Sequence, residues 1–441
     1  MGERYSWEWV EAEVAETAAR WSRCASLALP PAPRFSPADQ RQREKAWDEG
    51  METVERELKR ARSHRAADRW RETQQRVTAA FARFSAIALD LDDACIEMLT
   101  GDFLPVGTHL ARWARAFDPA LSMPDIIQAS RNAWTACGLQ PLLGLPIELT
   151  PSILGYSLLY PYSDNYLDGD EITEESKLRF SRRFRERLCG QPLAPAGPRE
   201  SALWAMVELI EGQYPRALSP GVFECLLAIH RAQEHSIAQV RSPGPEEELL
   251  RMSCAKGGTS VLADACLARG WLSDEESRFA FAWGVLLQLG DDLQDVREDR
   301  HRGSVTLFSG PAARGQRLDA RVRQLLAFSD CVGQQMDRLP HGSPMLRGLL
   351  KMSWRSLILM AVAASHEHFS PEFLAETEPF SPFRFAFLRE RREKLTGRHG
   401  MYAMLFDAFV EPRAEEDWRL PAPKGWRHPA RLQGSPELPQ A

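Results

Sequence analysis

The chain has little of what marks several large classes of protein. Its eight cysteines, at positions 24, 95, 137, 189, 225, 254, 266 and 331, include no CxxC pair and no close histidine partner. That pattern suggests neither a zinc site nor a disulfide framework, and makes a reducing, cytoplasmic compartment the expectation. No apolar run approaches the ~20 residues of a membrane span; the best candidate, SLILMAVAA from Ser356, is about half as long. The opening stretch MGERYSWEWVEAEV lacks the apolar core of a signal peptide. A net charge of −6 and an isoelectric point near 6.0 give no electrostatic reason to expect nucleic acid as a partner. Alternating β-branched runs between hairpin turns are missing too, which argues against sheets.

What is there reads with a helical period almost throughout, so the expected fold class is all-α. Residues 6–28 look like an amphipathic helix, followed by the Pro-rich break LPPAPRFSPADQ and two long charged helices to about residue 99. Residues 1–100 are therefore expected to form an N-terminal helical extension. A helical catalytic domain is expected over 101–410, with helices at 125–138, 152–168, 201–213, 221–240, 246–269 and 275–299 between Pro- and Gly-containing breaks. Ser242 and Ser273 stand where N-caps belong, with acidic residues in the turns behind them. Residues 411–441, rich in Pro, Arg and Glu without a period, are expected to be a disordered or draped tail.

One stretch concentrates charge. DDLQDVRED, from Asp291, holds five carboxylates in nine residues directly after the apolar run FAFAWGVLLQLG. On a continuous helix Asp291, Asp295 and Asp299 fall on one stripe, with Glu298 close to it and Asp292 about a quarter-turn away. Like charges one turn apart are mutually destabilising unless something positive lies between them. A solvated helix end is the plain reading, but a surface helix would show an apolar stripe and interspersed lysines. Ca²⁺ would want a looped ligand set with a glycine turn. A rigid stripe suits Mg²⁺ that also grips a phosphorylated substrate, because that ion keeps water and substrate oxygens among its ligands.

A second cluster lies upstream in LLYPYSDNYLDGDEITEE, where Asp164 and Asp168 are again four apart, with Asp170 and Glu171 beyond. Two such stripes on antiparallel helices could face each other across a bundle core and clamp several ions. Lys256, beside Gly257, Gly258 and Thr259 on an otherwise apolar segment, precedes the Asp291 stripe by one helix hairpin and could supply a phosphate-binding cation. Lone lysines on such segments more often snorkel to the surface.

At these residues the sequence resembles the class I isoprenoid synthase superfamily: trans-prenyl diphosphate synthases, squalene and phytoene synthases, and class I terpene synthases. Gln288, Asp291, Asp292 and Asp295 match the QxxDDxxD motif of chain-elongating enzymes, and Lys256 corresponds to a lysine on their preceding helix. Gln288, Leu289, Asp295, Glu298, Asp299, Arg302 and Gly303 match the phytoene synthase pattern QLxNxLRDxxED followed by RG. The resemblance covers residues 120–310. It implies an antiparallel helix bundle around a deep apolar cavity. It implies two or three Mg²⁺ ions, with a prenyl diphosphate bound, held by Asp164, Asp168, Asp291, Asp292, Asp295, Glu298 and Asp299. Catalysis would fall to Asp164, Asp168, Asp291, Asp295 and Lys256, and substrate contacts to Lys256, Gln288, Thr259, Arg302, Tyr160 and Phe281, with Tyr166 and Trp283 as further candidate walls. A homodimer is common in the superfamily and is the expected assembly.

The departures steer the reading. Asn165 stands where prenyl synthases have a second Asp, and no Arg-Arg pair follows at the spacing that binds isopentenyl diphosphate; Arg182 and Arg183 are well downstream. Nor is there the Asn/Ser/Glu triad of many bacterial terpene synthases. The expected function is a divergent terpene synthase, the alternatives being a prenyltransferase, chain-elongating or head-to-head, or an inactive partner subunit of the same fold. The DxDD pattern of Asp90, Asp92 and Asp93 lacks the preceding helical-barrel domain that class II chemistry needs and reads as a helix-surface cluster. His230 and His235 lack a third ligand and read as polar fillers.

Overall fold

A computed structural model describes residues 4–25, 28–62, 67–167, 169, 172–239 and 244–396. All regular structure among them is helical. In chain order the helices are α1 (Trp7–Cys24), α2 (Pro37–Arg62), α3 (Ala67–Ala88), α4 (Asp93–Glu97), then a π-helical turn at Met98–Phe103, α5 (Leu104–Phe117), α6 (Met123–Leu142), α7 (Pro151–Leu167), α8 (Glu174–Leu188) and α9 (Pro198–Gln213). There follow α10 (Pro220–Gln239), α11 (Glu246–Arg269), α12 (Asp274–Gln294), α13 (Val296–Arg302), α14 (Ser309–Ala313), α15 (Asp319–Arg338), α16 (Pro344–Ala364), α17 (Pro371–Thr377) and α18 (Phe385–Thr396). No described helix is long and apolar enough to cross a membrane.

Local chemistry sets the boundaries. Ser273 begins α12 with a reciprocal cap, accepting from the Glu276 amide while the Glu276 carboxylate accepts from the Ser273 amide, as the LSDEE sequence leads one to expect. Ser122 and Asp125 do the same for α6. Helix α11 stops at Gly270, whose φ of 88° needs a residue without a Cβ. Ser242, expected as a cap, lies outside the described residues; Pro245 holds the N-cap position of α11.

Helix α11 is the hub. It is buried on nearly every face from Val261 to Ala268 and packs against α1, α6, α7, α10 and α12. Its contact with α12 is backbone on backbone: a Cβ on Gly257 would lie 2.5 Å from the Gly284 carbonyl oxygen. Beyond α12 come α15 and α16, and beyond α6 and α11 come α7 and α9. Helix α1, expected within an N-terminal extension, instead places Val10, Val14 and Trp21 in this main core. Among the described residues the α2–α3 hairpin stands apart, closed against α18 by a small core of Phe84, Ala88, Phe383 and Phe387 with Trp47. A bidentate pair from Arg384 to the buried Glu44 ties the same two units.

Candidate functional site

The antiparallel hairpin α11–α12 brings the acidic stripe, Lys256 and Gln288 to one end of the bundle. Ser253 of α11 donates to Asp292 Oδ2 at 2.9 Å, and Gln288 Nε2 donates to Asp292 Oδ1 at 2.8 Å. Asp292 is thereby buried and fixed. Burial raises its carboxyl above the usual range, while those two donors and Lys256 work against the rise.

Asp291 stands at a cavity of about 380 Å³ whose walls come from α6, α11, α12 and α16, among them Arg131, Asn132, Lys256, Gln288, Trp354 and Ile358. Its side chain keeps 57% of its accessibility. Loss of solvent to the neighbouring protein is nevertheless the first reason its carboxyl is pushed up to about 6; Arg131 and Lys256 oppose the rise, and Asp295 and Asp292 add repulsion. The Arg131 guanidinium approaches at 3.7 Å. Asp299 is pushed up to about 7, first by burial and then by Asp292, Asp295 and Glu298. Loss of solvent is therefore the main penalty on the charged form of these carboxylates, and their mutual repulsion adds to it.

The stripe is not one straight helix. Asp295 leaves helical geometry at φ −93° and ψ 7°, ending α12, and α13 restarts at Val296. Amide-to-carbonyl bonds from Asp295 to Asp291 at 2.9 Å and from Asp299 to Asp295 at 2.8 Å keep the one-turn spacing across the break. Glu298 pairs with Arg302 at 2.7 Å on the exposed side. Among the described residues no three Asp, Glu, His or Cys side chains already converge on a point that could hold a metal ion. An ion here would take Asp291, Asp295 or Asp299 together with oxygens of a bound substrate.

The second cluster is only partly described. Asp164 lies in the last turns of α7, but its side chain, with that of Tyr160, lies outside the described residues, as do Asp168, Asp170 and Glu171 entirely. The backbone of α7 runs antiparallel to α11: Ser152 bonds the Leu267 carbonyl, and Asn132 bridges Ser157 and Asp264. Counting on from these contacts at ~1.5 Å per residue puts the Asp164 end of α7 level with Gly257. That is the end of the bundle where α12 carries Asp291.

Other expected contacts fall elsewhere. Phe281 is fully buried against Trp9 and Gly258, and Trp283 packs on Phe279 and Trp354 in the core; neither lines the cavity. Thr259 is also fully buried, its hydroxyl donating back to the Ala255 carbonyl at 2.6 Å. Tyr166 stacks under the Arg199 guanidinium at 4.0 Å. Asp92 caps α4 through the Cys95 amide, and Asp90 meets Arg43 at 3.3 Å, so the DxDD pattern serves a turn. His230 is buried between Ser181 and Glu234.

The sequence reading missed three groups at the cavity: Arg131, Asn132 and Asp264. Asp264 is wholly buried, its Oδ1 accepting from Asn132 at 3.2 Å and its Oδ2 lacking a partner among the described residues. Burial holds its carboxyl well above the usual carboxylate range, with the Asn132 hydrogen bond opposing the rise. A usable signal existed, since Asp264 follows Lys256 by two helical turns on the same apolar helix. Comparison with models of known families, with curated proteins and with solved structures gives no match.

Proposed function

We propose that the protein is a Mg²⁺-dependent class I isoprenoid enzyme that ionises a prenyl diphosphate, in the manner of a terpene synthase. The observation that carries this reading is the cavity that Asp291 lines together with Lys256 and Arg131, with Trp354 and Ile358 among its walls and the other carboxylates of the stripe on the helix turns beyond it. Carboxylates alone could hold a cation; carboxylates beside two cations suit a dication together with an anion of high charge. Asp291, Asp295 and Asp299 would hold the metal, with Asp164 and Asp168 as the further ligands that the resemblance implies. When bound, Mg²⁺ supplies neutralisation of the departing diphosphate.

The remaining work belongs to the chain. Lys256 and Arg131 bind phosphate oxygens as fixed donors. Asp292, locked by Ser253 and Gln288, holds the end of α12 in register and contributes negative charge behind the metal site. Trp354 and Ile358 limit water at the carbocation that diphosphate loss leaves. Asn165 and the missing isopentenyl site favour diphosphate loss over chain elongation.

Incubation of the purified full chain with C10, C15 and C20 prenyl diphosphates and Mg²⁺ tests the reading. Release of pyrophosphate with a hydrocarbon or alcohol product is the expected result. Turnover that requires isopentenyl diphosphate would make it a prenyltransferase, and tight binding without turnover a partner subunit.

A further inference from the structure

We infer that the hydrocarbon chain of the ligand leaves the acid-lined cavity past Gln294 and lies in the groove between α16, α18 and the α2–α3 hairpin. The inference rests on the prenyl diphosphate reading for the head of that ligand. The groove has a volume of about 670 Å³ and is walled by Trp47, Leu89, Met360, Ala364, Phe383 and Phe387. That size lies within the range of small-ligand sites.

Three observations join it to the cavity. Gln294, at the end of α12, lines both spaces. Helix α16 forms a wall of each, with Leu357 and Ile358 at the cavity and Met360 and Ala361 at the groove. Leu357 and Met360 remain 48% and 49% exposed, an unusual degree for neighbouring large apolar residues on one helix. Charge is distributed to match an anionic head and an apolar tail. Acidic and basic groups gather at the Asp291 end, Arg392 stands close enough to act on Asp295 at the junction, and the groove, though Arg391, paired with Asp48, and Ser356 and Ser381 also line it, is otherwise walled mostly by aliphatic and aromatic side chains. Phe281 and Trp283, by contrast, are buried core side chains that line neither space.

The occupant is therefore an extended isoprenoid chain, and binding strength should follow its length. The test uses the full chain with Mg²⁺, titrated with inorganic pyrophosphate, with C10, C15 and C20 prenyl thiolodiphosphates, and with farnesol. Met360→Trp narrows the groove and Met360→Asp makes it polar; thermal melts check that each variant folds, which the exposure of Met360 favours. In the wild type each added isoprene unit should raise affinity by at least about tenfold, since even partial burial of its five carbons supplies that much. Both variants should lose about tenfold or more for the C15 and C20 ligands while pyrophosphate binding stays unchanged. Pyrophosphate binding with the chain-length gain intact in both variants would overturn the groove and leave the diphosphate reading standing. Farnesol binding that both variants weaken, without pyrophosphate binding, would keep the groove as an apolar-chain site and remove the diphosphate reading. Neither ligand binding would remove both.

Discussion

Gly257 of α11 and Gly284 of α12 meet backbone to backbone, so that a Cβ on Gly284 would overlap the carbonyl oxygen of Gly257. This contact sets the spacing of the two helices that carry Lys256 and the acidic stripe. Alanine at either position must push the helices apart, because the clashing atoms are main chain and cannot rotate away. Gly257→Ala and Gly284→Ala should each cost about 1–3 kcal/mol or more, read as a shift in urea midpoint, whereas Gly290→Ala, where a Cβ meets nothing, should cost little.

Loss of the stripe should separate function from folding. Asp291→Asn and Asp295→Asn relieve repulsion between carboxylates and should leave the melting temperature unchanged or higher. Diphosphate release should nevertheless fall about 100-fold or more. Lys256→Ala should weaken pyrophosphate binding by about tenfold or more, as expected for a charged hydrogen-bond donor. Full activity in the Asp291→Asn, Asp295→Asn double variant would remove the roles assigned to both.

Asp264 gives the protein a pH dependence of definite sign. Its folded-state value is raised, so the folded chain holds a proton that the unfolded chain gives up above about pH 4. Its contribution to stability is full below that point and is lost as the pH climbs through the folded-state value. Asp264→Asn removes the titration. The stability difference between wild type and variant should therefore move toward the variant as the pH rises above about 4, as measured by urea unfolding. A difference that does not change with pH would contradict the assignment.

Glu44 and Arg384 test how the α2–α3 hairpin is attached. Glu44 is buried while Arg384 keeps 42% of its side-chain accessibility. Glu44→Ala should therefore cost about 2 kcal/mol, less than a fully enclosed pair would. Hydrogen exchange should quicken in α2, α3 and α18 and stay slow in α11 and α12.

Much of this architecture is legible in the chain itself. The expected helix at 246–269 has the bounds of α11, because Pro245 and Gly270 punctuate it on either side. The expected helix at 275–299 divides, because Asp295 leaves helical geometry amid successive turns of carboxylates and Val296 turns into the core. Period and caps are local properties, and a one-dimensional reading captures them.

By itself, then, the sequence determined the helical class, the ends of several helices in the middle of the chain, and the gathering of Asp291, Asp292, Asp295, Glu298 and Asp299 on neighbouring turns. Only the tertiary structure decided what stands opposite them. It set Arg131 beside Asp291 across 160 residues of chain, buried Asp264 beneath Asn132, turned Phe281 and Thr259 into the core, and brought Cys225 within 2.8 Å of Cys266 and Cys24 within 3.7 Å of Cys331. The reason is physical. Helical periodicity says which face of a helix is apolar, but its neighbours depend on close packing among many helices, and small features such as the Gly257–Gly284 contact choose between packings that the pattern alone leaves equal.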